Sequence, residues 1–345
     1  ALKQSHLIET VREAYPNANL MGCSTAGEIC DTEVWDDSLV ATAIQFEKTE
    51  VSGHSIHIHE VQNDSFKAGK LLAHKLLIND LVHVFVLSDG LQVNGSELVR
   101  GLVEHLPETV TVSGGLSGDG ASFDQTLVMW NNPPQTGEIV VVGLYSDCLT
   151  VSCGSCGGWD TFGPERLITQ SEANVLYQLD GKSALDLYKK YLGEHASGLP
   201  ASGLLFPLSL RTSSEETAVV RTILSVNEAE QSMTFAGDEP EGGRVRLMKA
   251  NFDRLVDGAM EAAEKSLEGG TEESPELAIC ISCVGRKLVL KQRIEEEMEG
   301  VREVLGDTPV LAGFYSYGEI APFQSGVDCS LHNQTMTITT FSEKI

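Results

Sequence analysis

The chain has 345 residues, with 24 Lys and Arg against 50 Asp and Glu, for a formal net charge of −26. A surface that negative repels phosphate backbones and anionic lipid, and aromatics at 6% supply no broad platform for stacking bases. Nucleic-acid binding is therefore not expected. Hydrophobic residues at 41% and charged residues at 21% are those of a globular protein, and the length suits two domains. No apolar run reaches the roughly 20 residues a membrane helix needs, and no signal peptide is visible in a sequence that starts at Ala1 without an initiator Met, which allows a trimmed start. The eight cysteines lie mostly in apolar, strand-like segments, so free thiols and a cytoplasmic location are expected.

In chain order, SHLIETVREAY predicts an amphipathic helix with Leu7, Ile8, Val11 and Ala14 on one stripe, leading into the strand NLMG. DSLVATAIQFE and EVSGHSIHIHEV alternate like antiparallel strands, and FKAGKLLAHKLL returns to helix. A buried-type strand (VHVFVLSDG), a helix (GSELVRGLVEHL) and a strand (TVTVSGG) follow, then strands at TLVMW, EIVVVGLYS and LTVSC. After Lys182 come helix ALDLYKKYLG, strand LLFPLSLR, a hairpin through AVVRTILSV and SMTFAG, and strand RVRLMKA. Helix FDRLVDGAMEAAEKSL, strand ELAICISCVG, the acidic helix IEEEMEGVREVL and strands PVLAGFYSYG and QTMTITTF close the chain. The acidic stretch from Glu268 to Glu276 reads as a surface loop.

An internal repeat organises this order. Three times a helix and an apolar strand run into a glycine-rich turn: GCSTAGEI from Gly22, GGLSGDGA from Gly114 and GFYSYGEI from Gly313. The second and third copies follow a comparable leading strand, VFVLSDG and CISCVGR; the first lacks one, so residues upstream of Ala1 are expected. Such units predict an α/β (or α+β) protein of two related mixed βα domains, residues 1–180 and 181–345. Glycine turns after buried strands let a backbone approach a ligand and offer N–H donors. They are neither a P-loop nor a dinucleotide fingerprint, since no Gly-Lys-Ser/Thr or GxGxxG is present at them. The third turn, with Tyr315, Tyr317 and Glu319, carries both apolar walls and hydrogen-bond handles.

Several passages resemble the FIST N-terminal and C-terminal domains: GCSTAGEI, GGWDTFGPERLIT, LDGKSALDLYKKYLG, CVGRKLVL, GFYSYGEIAPF and LHNQTMTITTF. The resemblance spans nearly the whole chain and implies a non-enzymatic bacterial sensor acting with histidine kinases, cyclic-di-GMP enzymes or chemotaxis components. Within the family the chain looks similar to proteins that bind haem, sense nitric oxide and regulate a partner kinase. His332, in the family-like LHNQTMT motif, is then the expected haem ligand, with a hydrogen-bonded structural histidine as the alternative. Of the others, His57 and His59 alternate on one strand but read more plainly as an exposed face, and His74, His83 and His105 read as surface or edge positions.

Cys153/Cys156 and Cys280/Cys283 each form a CxxC, which raises zinc or iron–sulfur chemistry. Residues three apart on a strand point to opposite faces, so the second pair is poorly placed; a cluster of Cys283, Cys329 and His332 is the metal alternative. Arg286 is expected either to clamp a ligand carboxylate or to form an ion pair, for example with Glu319, and Trp159 to anchor the core. Ser24, Thr25, Cys23 and Cys283 could act as nucleophiles, yet no histidine stands beside any of them in sequence. The expected ligand site comprises Arg286, Tyr315, Tyr317, Glu319, His332 and Asn333, in the C-terminal half or between the halves. It would take haem or, alternatively, an amino acid or another small polar metabolite.

Overall fold

A computed structural model describes residues 5–77, 79–212, 218–268, 274–323, 326 and 329–344. Helix α1 (Ser5–Ala14) leads to β1 (Met21–Cys23), and the first glycine turn is followed by β2 (Glu28–Cys30) and β3 (Glu33–Trp35). β4 (Glu50–His57) and α2 (Ser65–Leu76) precede β5 (Leu81–Ser88), α3 (Gly95–Val103) and β6 (Thr111–Leu116). The second turn leads through β7 (Val128–Trp130) to β8 (Glu138–Tyr145) and β9 (Leu149–Cys156). An inserted run follows: β10 (Asp160–Glu172), β11 (Val175–Leu179), β12 (Lys182–Ser183), α4 (Ala184–Leu192), β13 (Leu208–Arg211), β14 (Val219–Arg221), β15 (Ile223–Asn227), β16 (Ser232–Phe235) and β17 (Arg244–Lys249). Then come α5 (Phe252–Glu268), β18 (Leu277–Cys283), α6 (Val284–Leu290), α7 (Glu295–Leu305) and β19 (Val310–Ser316). After the third turn stand β20 (Gly318–Pro322), β21 (Cys329–His332) and β22 (Met336–Glu343).

Two six-stranded sheets share one topology, β4-β8-β5-β6-β20-β21 and β9-β22-β18-β19-β2-β3. In each a single parallel pair, β5·β6 or β18·β19, lies at the centre of antiparallel neighbours. The sheets pack face to face through Leu87, Val140, Val142, Leu277, Ile281, Phe314 and Phe341. Their outer faces are covered by α2 and α3 on one side and α5 and α7 on the other. Being buried on both faces, β5 and β18 are near-continuous apolar runs rather than alternating ones. Helices α2 and α3 cross at Gly69 and Gly101: a Cβ on Gly69 would lie 2.3 Å from the Leu98 carbonyl oxygen.

The repeat is real and its copies are interlaced. β2, after the first turn, pairs with β19 of the third copy; β20, after the third, pairs with β6 of the second; β7, after the second, pairs with β1 of the first. This cyclic exchange draws the three turns together. Gly118 N donates to Ser24 O (2.9 Å), Ala26 N to Tyr315 O (2.8 Å) and Tyr317 N to Leu116 O (3.2 Å).

The inserted strands form an eight-stranded antiparallel sheet with its own core of Ile168, Leu176, Leu185, Tyr188, Leu208, Met233, Phe235 and Leu247. Residue 180 lies in the tight β11–β12 connection, with Asp180 and Gly181 both at positive φ, and three of the four sheets take strands from both sides of it.

Two sequence expectations are corrected. Residues 40–46 of DSLVATAIQFE form no strand, because no strand among the described residues pairs with them, and Ala41–Gln45 are exposed. His83 is not at a surface: it is fully buried between the sheets, its Nδ1 2.7 Å from Thr111 Oγ1 and its Nε2 3.1 Å from Ser113 Oγ. The acidic loop of 268–276 falls partly outside the described residues.

Candidate functional site

Arg286 sits in the first turns of α6 and is fully buried. Its Nε and Nη2 donate to Glu297 Oε1 at 2.7 and 2.5 Å. Nη1 donates to Gly157 O (2.5 Å) and Gln334 O (3.4 Å), and Nη2 to Leu255 O (2.7 Å). Glu297 Oε2 accepts from Tyr315 OH at 3.0 Å and Ser282 Oγ at 3.4 Å. Burial and that neighbouring carboxylate hold the Tyr315 phenol protonated, well above its ordinary range. The guanidinium is spent on tying α5, α6, α7 and the ends of β9 and β21 together, with Glu297 rather than Glu319 as its carboxylate.

Tyr317 faces the other way, stacked on Phe123 at 4.4 Å and donating to Asp119. Asp119 also accepts the backbone N–H groups of Phe123, Asp124 and Gln125 at 2.8 Å each. The third turn is thus a hub for the other turns, with its two tyrosines in separate networks.

Glu319, on β20, is the Cα partner of His332 on β21, and both are buried. Ser316 Oγ donates to Glu319 Oε1 (2.7 Å) and Thr335 N to Oε2 (3.2 Å). Burial outweighs these bonds and pushes the carboxyl up to about 8. The first turn repeats the motif in a less buried setting, where Thr25 Oγ1 donates to Glu28 Oε1 at 2.8 Å. His332 Nε2 donates to Ala321 O (2.8 Å) with Phe323 edge-on at 4.5 Å. Burial, with Arg221 adding to it, pulls the imidazole down to about 4, so the ring is neutral. An axial bond to haem iron from this ring would have to come from Nδ1 or break the Ala321 bond; as they stand, the residues do not fit that ligand.

The strongest polar anomaly lies next to His332, where the inserted sheet meets β21, and sequence reasoning missed it. Arg221 is buried at the end of β14, donating to Leu331 O (3.2 Å), Val220 O (3.2 Å) and Asp238 O (3.3 Å). Asn94, the N-cap of α3, donates to Asp238 Oδ1 at 3.1 Å. The neighbouring Glu239 is fully buried, and neither of its carboxylate oxygens has a hydrogen-bond partner among the described residues. Burial pushes Glu239 up to about 8 although Arg221 pulls the other way. Thr222 Oγ1, Asn333 Oδ1 and Gln334 Oε1 are also buried without partners. Buried polar atoms are nearly always satisfied, so the carboxyl of Glu239, which has neither oxygen paired, stands out among them. In sequence, GDEPEGG carries only the signature of a solvated turn.

Among the described residues, no three His, Cys, Asp or Glu side chains converge to hold a metal ion, and Cys283, Cys329 and His332 are not brought into such a group. Burial pushes the thiols of Cys23, Cys153 and Cys280 up to about 12 and raises Cys283 as well, so each is a protonated thiol at neutral pH and a poor nucleophile or ligand. Trp159 is a core anchor, its Nε1 donating to Gln334 O at 2.7 Å. No helix of the described residues is long and apolar enough to cross a membrane.

Residues 1–182 match the FIST N domain and residues 184–322 the FIST C domain. Over 325 residues the chain is 24% identical to the uncharacterised protein MJ1623 of Methanocaldococcus jannaschii, covering 86% of this chain and 60% of that protein. The chain therefore spans less than two thirds of that relative's length. The chain belongs to the FIST family of signal-transduction sensor domains that bind small ligands.

Proposed function

We propose that the chain senses a small polar metabolite, an amino acid or a related amine, at the seam between the inserted sheet and the LHNQT turn, and that occupancy is relayed to a partner histidine kinase or cyclic-di-GMP enzyme. The observation that carries this reading is the buried, unpartnered carboxyl of Glu239 beside Arg221. A ligand bearing a cationic or hydrogen-bond-donating group supplies the missing partner of Glu239, and its acceptor oxygens suit Arg221. Because the seam joins the inserted sheet to β21, differential binding there biases the packing of the two parts, which is what a sensor needs.

The test is thermal stabilisation and calorimetry across a panel of amino acids and amines, on the natural chain and on Glu239→Gln. A cationic ligand should release protons on binding near neutral pH, since it favours the charged form of Glu239. If no compound stabilises the natural chain, or the same compound stabilises Glu239→Gln equally, the assignment fails. Haem, which the family resemblance implies, is the second reading, although His332 as it stands is buried and bonded to Ala321 and does not fit it. It would require His332 to use Nδ1 or to give up Ala321, and protein purified with adequate iron should then show a Soret band that moves with nitric oxide and changes in His332→Ala. An iron–sulfur group would instead give a broad absorption envelope without a Soret peak.

A further inference from the structure

The three copies of the repeat differ in one respect. In the second, the leading strand β5 lies between β6, parallel to it, and β8, antiparallel. In the third, β18 lies likewise between β19 and β22. By chain order, the equivalents of those flanking strands in the first copy are β1 and residues 40–46. Among the described residues, β1 pairs on one side only, with β7. Residues 40–46, although strand-like in sequence, make no backbone hydrogen bond among the described residues.

The helices tell the same story. α3 buries Leu98, Val99 and Leu102, and α7 buries Met298, Val301 and Leu305. Among the side chains described in α1, Ile8 and Val11 are only half-buried and Ala14 is exposed, and Tyr15 just after it is 61% exposed. The glycines close the argument. Gly114 and Gly313 are each required by a leading strand, since a Cβ would lie 1.9 Å from Val86 O or 1.7 Å from Cys280 O. Gly22 stands at the equivalent position, yet a Cβ there meets only the Met129 side chain, at 3.5 Å. Among the described residues, a glycine equivalent to two that admit a close backbone approach has no backbone within 4 Å of its Cβ position.

We infer that the slot between β1 and residues 40–46 is an acceptor for one apolar β-strand, parallel to β1, antiparallel to 40–46 and covered by α1. The occupant has the character of β5 and β18, seven or eight residues long, apolar on both faces and joined to the N-terminal side of α1, as the other leading strands precede their helices. Its insertion satisfies the open edge of β1, turns 40–46 into a strand, buries the apolar stripe of α1 and lays a backbone against Gly22. Its C-terminal end arrives at the Ser24 turn, as Ser88 arrives at the second turn by accepting from Ser117 N at 2.7 Å.

The test compares the natural chain with one carrying the residues 80–88 sequence ahead of residue 1 on a flexible Gly/Ser linker, which sets an effective concentration of about millimolar. Amide exchange at 21–23 and at 40–46 should slow together by roughly tenfold or more, with a scrambled strand giving no change. Gly22→Val should leave the natural chain's melting temperature unchanged, because its space is open, and abolish the protection in the fusion. Unchanged exchange in both segments, or protection that survives Gly22→Val, overturns the inference. So does protection already present in the natural chain in proportion to dimer, which would make the occupant a second copy.

Discussion

Arg286 and Glu297 are both completely buried, and two guanidinium nitrogens converge on one carboxylate oxygen at 2.7 and 2.5 Å. The pair is surrounded by backbone carbonyls and the Tyr315 hydroxyl, so each charge has several partners. A buried pair of this kind specifies an arrangement more than it adds stability, because desolvation offsets much of the attraction. Removing one member leaves the other charged and buried. Glu297→Ala should lower unfolding stability by about 3–5 kcal/mol, measured by urea denaturation. Arg286→Met/Glu297→Leu together should recover a large part of that loss; a double variant as unstable as the sum of the singles would show that the network is not held by charge pairing.

Asp119 holds the loop after the second turn by accepting three backbone N–H groups and the Tyr317 hydroxyl. Asp119→Ala leaves those donors to water and should cost about 1–3 kcal/mol, against about 1 kcal/mol for Tyr317→Phe, which keeps the stack on Phe123. Hydrogen exchange at Phe123, Asp124 and Gln125 should rise sharply in Asp119→Ala and little in Tyr317→Phe. Equal effects would place the organising role on the tyrosine instead.

The fold class and the threefold repeat were legible because glycine turns after apolar strands recur at the level of individual residues. The exchange of strands among the copies was not legible, since pairing of β2 with β19 or of β20 with β6 leaves no local trace. Periodicity reports what a segment prefers, not what lies beside it; 40–46 alternates correctly and still forms no strand. His83 was misjudged for a related reason: its partners Thr111 and Ser113 come from the adjacent parallel strand, and only they make a buried imidazole tolerable. The sequence offers Arg286 as a clamp for a ligand carboxylate or as a partner of Glu319; its carboxylate is instead Glu297, one glutamate among several in IEEEMEG, visible only once α7 is in place. Glu239 was missed altogether, because burial of an acidic turn within the inserted run is decided by what packs against it, here Arg221 of β14 and the start of α3.

The cysteines should separate cleanly by reactivity. Cys30 is exposed, whereas Cys153, Cys280 and Cys283 are buried with thiols raised by burial. A chromogenic disulfide reagent at neutral pH should modify Cys30 rapidly and those three only on unfolding. Fast reaction of Cys283 in the folded protein would revive a thiol-based chemistry at the third turn.

Stability should depend on pH from two sides. Glu239 and Glu319 have folded-state pKa values near 8, above the ordinary 4.5, so the folded state binds more protons. Their contribution is fully present below pH 4.5 and is lost as pH rises through about 8. His83 and His332 are depressed to about 3 and about 4, so their contribution is present above pH 6.5 and lost as pH falls toward those values. Between 4.5 and 6.5 the two effects oppose each other; from 6.5 to 8 the carboxyls act alone. In that upper window unfolding free energy should fall by up to about 1.4 kcal/mol per pH unit for each carboxyl. Glu239→Gln and Glu319→Gln should each remove about one share of the slope, followed by denaturant melts at several pH values. A ligand that pairs with Glu239 should remove the same share without mutation, because it restores a charged carboxylate as the preferred form. If Glu239→Gln leaves the slope intact while Glu319→Gln flattens it, Glu239 is already charged in the folded protein, and its partner must be sought among the protein's own groups.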